Sequence, residues 1–276
     1  MSQSKRSFLA LFLCSPEFST MEISISIIVF LVLASGFAGF VDSIAGGGGL
    51  IQLPSLLVAL PRTEPSLLLG TNKLPSFLGT SSATLSYLRR IRPDFKLAFL
   101  MAIPAFIGSA LGANTATKIP KDSFRPIILV LLICVAIYTW RRKELGLTEN
   151  FKYARRHQFT IGILAGLIIG FYDGIFGPGT GSFLMLILVA ILGFAFMQAS
   201  VTAKIVNLAT NLGAISVFGL HGKIMWVLGL TMAVGNISCS YLGSRWAMRG
   251  GSALIRKVFL FITCALIIRL AFDTFH

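Results

Sequence analysis

Long apolar runs alternate with short polar segments along almost the whole chain. A helix needs about 20 apolar residues to cross the hydrocarbon of a bilayer, and most of the runs approach that length. The pattern predicts an all-α, polytopic membrane protein. The second stretch of each half is too short to cross, so we expect a half-helix or a re-entrant element there. The apolar stretches are 23–45, 49–60, 66–88, 97–117 and 124–140 in the first half, and 159–176, 181–196, 199–220, 224–247 and 255–272 in the second.

The composition agrees with this interpretation. The 276 residues are 55% hydrophobic and 12% charged, with a mean hydropathy of +0.83, which is far more apolar than a soluble domain. The formal net charge of +14 does not indicate a nucleic-acid partner, because Lys and Arg cluster in short loops between apolar runs, as they do on the cytoplasmic side of membrane proteins. The longest polar segment, 141–157, is expected to be a cytoplasmic linker.

Motifs for metal binding and for common enzymatic chemistry are missing from the sequence. The cysteines and histidines have no ligand spacing, so we expect no metal and no cofactor. No nucleotide-binding loop and no serine-hydrolase or zinc-protease motif occurs. We therefore expect the protein not to be an enzyme.

The first residues, 1–22, are interpreted as an N-terminal extension. Lys5 and Arg6 precede a short apolar run that resembles the start of a signal peptide, but no small-residue cleavage site follows. Met21 directly precedes the first clean apolar stretch and is an alternative start.

The chain contains an internal duplication. At an offset of 131 residues, segment 39–140 aligns without a gap to segment 170–271, with about twenty identities. The few charged residues match in register, which composition alone would rarely produce. We therefore predict two homologous repeats of about four to five transmembrane segments, 23–140 and 158–276. Inverted and parallel repeats both occur in transporters, and both arrangements stay open.

Each repeat carries an aspartate four residues before a glycine-rich break. The first reads GFVDSIAGGGG and contains Asp42, and the second reads GFYDGIFGPGTG and contains Asp173. Non-helical backbone at membrane depth is tolerated only where protein or a water-filled cavity surrounds it, and the helix that follows favours an anion at its N-terminus. Close helix packing is the alternative explanation for the glycines. For the aspartates, the alternatives are helix capping and proton coupling.

Each repeat also places one lysine inside its third apolar stretch. Lys73 and Lys204 are paired by the duplication, and a buried ammonium group can hold a small anion. The alternatives are snorkelling to the interface or an ion pair with the aspartate of the same half. Asn207 and Asn211 share a helix face with Lys204, since they are spaced by one helical turn. The candidate substrate-binding residues are Gly46, Gly47, Gly48, Gly49, Thr71, Asn72, Lys73, Gly177, Gly179, Thr180, Thr202, Lys204, Asn207 and Asn211, and the candidates for proton coupling are Asp42 and Asp173.

The two motif regions resemble the TauE/SafE family of sulfite exporters and related anion permeases. The resemblance lies in GFVDSIAGGGGLIQLPSLL and GTNKLPSFLGTSSATLSYLRR, with the echoes GFYDGIFGPGTGSFL and TAKIVNLATNLGA. It implies a secondary transporter that moves sulfite, sulfonates or similar small anions across a bacterial-type inner membrane. The family motif maps onto Asp42, Gly46–Gly49 and Thr71–Lys73. In the second half Ala203 replaces the asparagine of this motif.

These observations together favour a secondary anion transporter that works by alternating access. The expected partners are a small anion, protons and the lipid bilayer, with a homodimer compatible with the sequence and nucleic acid excluded. A passive anion channel is the alternative. An intramembrane aspartyl protease is disfavoured, because the residues before Asp42 do not form the GxGD motif of that class.

Overall fold

The computed structural model describes residues 24–116, 149–151 and 153–275, and every regular element within these ranges is helical. This agrees with the predicted all-α class. The expected N-terminal extension 1–22, the apolar stretch 124–140 and most of the predicted linker 141–157 lie outside the described residues.

Eight α-helices make up the described part of the chain, and a π-helical segment extends the sixth. In chain order they are α1 (Ile25–Ala45), α2 (Gly49–Ala59), α3 (Pro65–Leu88), α4 (Phe95–Ala116), α5 (Arg155–Ile175), α6 (Thr180–Leu186) with the π-helical Ile187–Ile191, α7 (Phe196–Leu220) and α8 (Trp226–Phe275).

Four of the described helices, α1, α4, α5 and α7, are long and apolar enough to cross a membrane. Their outward faces carry large apolar side chains without protein neighbours. Leu33 is 68% exposed, and Ile103 and Ile168 are each 63% exposed. Side chains of this kind are costly in water and favourable in lipid, so these faces define the lipid-contacting surface of a multi-pass membrane protein.

The two predicted breaks occur where glycine ends one helix and another begins. α1 ends at Ala45, and Gly46 follows in the left-handed region with φ of 76°. In the second half Gly179 precedes α6 with φ of 85°. Such φ values cost a residue with a Cβ about 1–2 kcal/mol, which explains glycine at these positions. The helices that follow, α2 and α6, are the short ones that the apolar pattern predicts.

Small residues let the long helices approach each other closely. α1 packs along α8, and α4 packs along α5. A Cβ added to Gly39 of α1 would lie 2.6 Å from the carbonyl oxygen of Asn236 in α8, and one added to Gly170 of α5 would lie 2.7 Å from Cα of Ala105 in α4. Since helices in lipid associate through such packing rather than through the hydrophobic effect, the glycines determine which helices pair.

The helices differ from the predicted apolar stretches and linker in three places. The stretches 224–247 and 255–272 form one continuous helix, α8, of 50 residues. The charged residues from Arg245 to Lys257 favoured a loop between the two stretches. The helix continues through Gly250 and Gly251, since each glycine costs a helix only about 1 kcal/mol. α5 begins at Arg155, within the predicted linker, and the regular structure after the second break ends at Ile191 rather than at 196.

Candidate functional site

The two glycine breaks, more than 130 positions apart in sequence, meet in the folded chain. The backbone N–H of Ser182 donates a hydrogen bond to the carbonyl oxygen of Gly46 over 3.1 Å. The Ser182 hydroxyl donates to the carbonyl oxygen of Ala45 over 2.9 Å. The start of α6 thereby satisfies carbonyl groups that the end of α1 leaves free, which non-helical backbone in a membrane requires.

Lys73 of α3 reaches across to the second half of the chain. Its ammonium nitrogen, Nζ, lies 2.7 Å from Oδ2 of Asp173 and donates to the Asp173 carbonyl oxygen, also over 2.7 Å. Both residues are 2% exposed. A buried charge persists only where it is paired or hydrogen-bonded, so this ion pair lets each residue keep its charge inside the protein.

Lys204 of α7 reaches in the opposite direction. Its Nζ donates to the carbonyl oxygen of Asp42 over 2.7 Å and lies 5.9 Å from the ring centroid of Tyr87. Lys204 forms no ion pair with a carboxylate among the described residues. Its positive charge is therefore less neutralised than that of Lys73.

The lysine contacts contradict both alternatives for these residues. An ion pair between lysine and aspartate of the same half was one alternative role for these lysines. Lys73 instead pairs with Asp173, and Lys204 binds the backbone of Asp42, so each lysine contacts the aspartate of the other half. Burial also excludes snorkelling, since Lys204 is only 3% exposed.

The two aspartates hold the starts of the short helices. Oδ1 of Asp42 accepts a hydrogen bond from the backbone N–H of Gly48 over 3.2 Å, and its Oδ2 accepts one from the hydroxyl of Thr80 over 3.3 Å. Oδ1 of Asp173 accepts one from the hydroxyl of Thr180, the first residue of α6, over 2.7 Å. A carboxylate near a helix N-terminus also complements the helix dipole, but a hydrogen bond to a backbone N–H at the helix start is observed for Asp42, whereas Asp173 contacts the Thr180 side chain.

A small polar cavity lies between the two breaks and Lys73. A second, smaller space adjoins it on the Lys204 side. Asp42, Gly46, Gly181 and Asn207 line both. Of the predicted residues, those that line the first cavity are Asp42, Gly46, Gly49, Asn72, Lys73, Asp173, Gly177, Gly179, Thr180, Asn207 and Asn211, and Lys204 lines the second.

Asn72 has an unused hydrogen-bonding group in this cavity. The residue is 3% exposed, and its Oδ1 accepts no hydrogen bond from the part of the chain that the structure describes. Leaving a buried polar group unpaired costs about 1–3 kcal/mol. An acceptor oxygen held in this state beside Lys73 is suited to a ligand group that donates a hydrogen bond.

Four of the predicted residues do not line either space. The Thr71 hydroxyl donates to the carbonyl oxygen of Leu67 and accepts the backbone N–H of Met225, so it joins α3 to α8. Gly47 and Gly48 belong to the turn between α1 and α2. Thr202 is fully buried, with its hydroxyl unpaired within the described ranges.

Gln52 is a polar residue near the cavity that the motif analysis missed. Its Nε2 donates to the carbonyl oxygen of Asn72 over 3.3 Å, and its Oε1 accepts from Asn236 of α8 over 2.9 Å. The signal was available, since Gln52 is the single amide side chain in the apolar stretch 49–60. Its contacts position α2 and Asn72 relative to α8.

Replacing Gln52 with leucine should lower the free energy of unfolding by about 1–3 kcal/mol. The substitution removes the donor to the Asn72 carbonyl and one acceptor of Asn236, and unpaired buried groups cost about this much. Thermal unfolding of the purified protein measures the change. Gln52→Met keeps the length of the side chain without its hydrogen-bonding groups, so a Met variant as stable as the wild type would show that packing, and not these hydrogen bonds, stabilises this position.

Comparison with known proteins gives a consistent result. The sulfite exporter TauE/SafE family matches residues 31–270. A probable membrane transporter protein, ORF9, from a Sinorhizobium species is 40% identical over 255 residues, which covers 92% of this chain and 96% of that protein. A probable membrane transporter protein from Haemophilus influenzae is 35% identical over 92% of this chain and 98% of its own length. The probable membrane transporter protein YfcA of Escherichia coli K12 is 34% identical over 97% and 94%. No solved structure matches significantly.

Proposed function

Since the chain belongs to the sulfite exporter TauE/SafE family of membrane transporters, we propose that it is a secondary transporter for a small sulfur-containing anion. Sulfite, an organosulfonate or a related sulfur oxyanion is the proposed substrate. The bacterial inner membrane is the proposed location, since the related transporters come from bacteria.

The observation that carries this proposal is the convergence of two buried lysines on the place where the two broken helices meet. A buried ammonium group is costly in a membrane protein and is usually functional. Lys204 has no carboxylate partner among the described residues, so it offers its charge to an incoming anion. Asn72 and Asn207 line the same cavity and add amide N–H groups that can donate to an oxyanion.

The arrangement of the helices supports alternating access. In each half, the first long helix packs on a helix of the other half: α1 on α8 and α5 on α4. The lysines cross between the halves in the same manner. We propose that the halves are structural repeats and that motion of one against the other opens the cavity to alternate sides of the membrane. Asp42 and Asp173 are the proposed sites of proton coupling.

A passive anion channel is the competing function, because a lined cavity with positive charge also permits simple diffusion. A coupled transporter and a channel differ in whether they can move the anion against its own gradient. A proton-coupled transporter in proteoliposomes should concentrate the anion against its gradient, and this accumulation should stop when a protonophore collapses the proton gradient. Flux that only follows the anion's own gradient would establish the channel.

A thermal-stability screen identifies the anion. We expect sulfite or one of the sulfonates to raise the melting temperature of the purified protein, because a ligand that binds only the folded state stabilises it by about 2.7 kcal/mol at 100 times its Kd. The screen compares sulfite, sulfate, thiosulfate, sulfoacetate and taurine, with chloride at matched ionic strength as the control. No shift with any sulfur-containing anion would contradict the proposed substrate class.

The Lys204→Ala variant should lose this stabilisation and transport at least ten times more slowly than the wild type. A tenfold loss corresponds to about 1.4 kcal/mol of binding free energy. This is a modest contribution for a buried ammonium group that contacts an anion. Lys223→Ala is the matched control. Lys223 pairs with Glu64 on the surface. The Lys223→Ala variant therefore removes the same charge at a place away from the cavity. Equal anion flux in both variants would remove Lys204 from the substrate path.

A further inference from the structure

We propose that Asp173 binds one proton when an anion enters the cavity, and that this releases Lys73 to hold the anion. The inference rests on the proposed function and names the coupling residue and the stoichiometry within it. It follows from the charge balance of the cavity and from the hydrogen bonds of the Asp173 carboxylate.

The charges at the site sum to zero before an anion arrives. Lys73 and Asp173 form a direct ion pair. Lys204 contacts the backbone of Asp42, and the Asp42 carboxylate supplies the second negative charge in the sum. A monovalent anion that enters would leave one uncompensated negative charge in a buried, low-dielectric place, which is strongly unfavourable. One proton taken up with each such anion restores neutrality.

The Asp173 carboxylate has a neighbour that accommodates either protonation state. The Thr180 hydroxyl oxygen, Oγ1, lies 2.7 Å from Asp173 Oδ1 and 2.8 Å from the carbonyl oxygen of Gly177. Its single hydrogen serves one acceptor at a time. When Asp173 is charged, the hydroxyl donates to the carboxylate. When Oδ1 carries a proton, the carboxyl donates to Thr180, and the hydroxyl turns to Gly177.

The other oxygen of Asp173 depends on Lys73 alone. Within the described residues, Oδ2 contacts the ammonium nitrogen of Lys73 at 2.7 Å, and no other partner is observed for it. Protonation of Asp173 therefore removes the negative charge that attracts the Lys73 ammonium group. Lys73 keeps a hydrogen bond to the Asp173 carbonyl oxygen, so the anion can take the place that the carboxylate charge occupied without leaving Lys73 unpaired.

Asp42 is less suited to this exchange. Its Oδ1 accepts a backbone N–H, that of Gly48, and a backbone donor cannot reverse its direction. A proton would have to go to Oδ2, where Thr80 donates over 3.3 Å. No second acceptor is observed for the Thr80 hydroxyl among the described contacts.

The remaining titratable groups around Asp173 are few. α3 contributes Lys73 and Tyr87, α1 contributes Asp42, and α7 contributes Lys204. α6 has no titratable side chain, and the one on α4, Lys96, lies in its first turn. On the helix of Asp173 itself, Tyr172 donates its hydroxyl hydrogen to the carbonyl oxygen of Pro178.

The proton that Asp173 binds comes from solution and forms one O–H bond on its carboxylate. Its return to solution accompanies release of the anion.

Proton uptake during anion binding tests the proposal on the full-length protein in detergent. Isothermal titrations with methanesulfonate and with sulfite are run in two buffers of different ionisation enthalpy, which gives the number of protons bound per anion. Methanesulfonate stays a monovalent anion throughout, so any proton that is taken up with it must bind to the protein. We expect about one proton per methanesulfonate in the wild type. Binding of either probe without proton uptake would overturn the coupling and leave the proposed function intact.

Variants locate the proton. Asp173→Asn imitates the protonated state, so it should bind the same anions with no proton uptake and with an affinity that no longer falls as pH rises. Asp42→Asn also removes one negative charge from the site, so charge balance predicts weaker proton uptake in this variant as well, and the Thr180 variants distinguish the two carboxylates. Asp94→Asn, at the start of α4, is the matched change outside the cavity and should behave as the wild type. Loss of proton uptake in Asp42→Asn and not in Asp173→Asn would overturn the assignment.

Thr180 provides a second test that does not remove a charge. Thr180→Val should weaken proton uptake and shift the pH at which anion affinity falls, whereas Thr180→Ser should retain the wild-type pH profile because its hydroxyl is kept. Equal profiles in the two variants would show that the hydroxyl has no part in the exchange. If the wild type binds neither methanesulfonate nor sulfite, the proposed function itself fails, which separates this outcome from failure of the coupling alone.

Discussion

Lys73→Met should lower the free energy of unfolding by about 3–5 kcal/mol, because it leaves the Asp173 carboxylate buried without its partner. Asp173→Asn should also destabilise the protein, since the ammonium group then has only neutral acceptors. The double variant Lys73→Met, Asp173→Asn should be more stable than Lys73→Met alone, because no uncompensated charge remains. Chemical or thermal unfolding of the purified variants measures all three values.

The function of the double variant separates stability from transport. We expect it to be folded and unable to transport the anion, since both charges of the exchange are gone. Lys223→Met is the control for removing a paired lysine at the surface, where such ion pairs contribute about 0–1 kcal/mol. Strict additivity of the two single changes would mean that Lys73 and Asp173 do not interact energetically, and the ion pair would then have no role in stability.

Gly46→Ala should destabilise the protein by about 2–5 kcal/mol and abolish anion binding. A Cβ at this position would lie 2.7 Å from Cα of Gly181, closer than unbonded carbon atoms approach. Either the two breaks separate or the backbone is strained, and overpacking of this kind costs about 1–3 kcal/mol. The left-handed φ of Gly46 adds about 1–2 kcal/mol. Unfolding experiments and the thermal-shift screen measure the two effects.

Two other glycines separate the effect of the steric clash from the effect of the left-handed backbone conformation. Gly222 has φ of 66° and no atoms within 4 Å of its added Cβ, so Gly222→Ala tests the backbone conformation without a clash. Gly219 lies in α7, where the closest atom to an added Cβ is 3.5 Å away, and Gly219→Ala should be neutral or stabilising. A loss in Gly46→Ala no larger than in Gly222→Ala would contradict close contact between the breaks.

The helical architecture was largely predictable, because burial in lipid is a local property of the sequence. Apolar length predicted α1 and α3 to within two residues and identified α2 as too short to cross. The continuity of α8 was not predictable. Glycine and charge mark loops only on average, and their local cost of about 1 kcal/mol is small beside the packing of α1 and α3 against this helix.

The site was predictable by residue type and not by partner. Two aspartates, two lysines and two glycine breaks at matching positions stand out because charge and broken helix are expensive in lipid. The pairing of Lys73 with Asp173 could not be read from this pattern, since an ion pair within each half would match the sequence equally well. Gln52 was missed for a related reason, because its partners Asn72 and Asn236 are 20 and 184 positions away.

The sequence by itself determined the helical membrane architecture, the family resemblance and the residues too polar for their surroundings, since each of these depends on composition and spacing along the chain. The tertiary structure alone decided that the breaks touch, that each lysine reaches the other half, and that Asp173 has an ion-pair partner whereas Lys204 has none in the described region. Such contacts depend on how helices pack, and close packing through glycine is a property of two surfaces together rather than of either one.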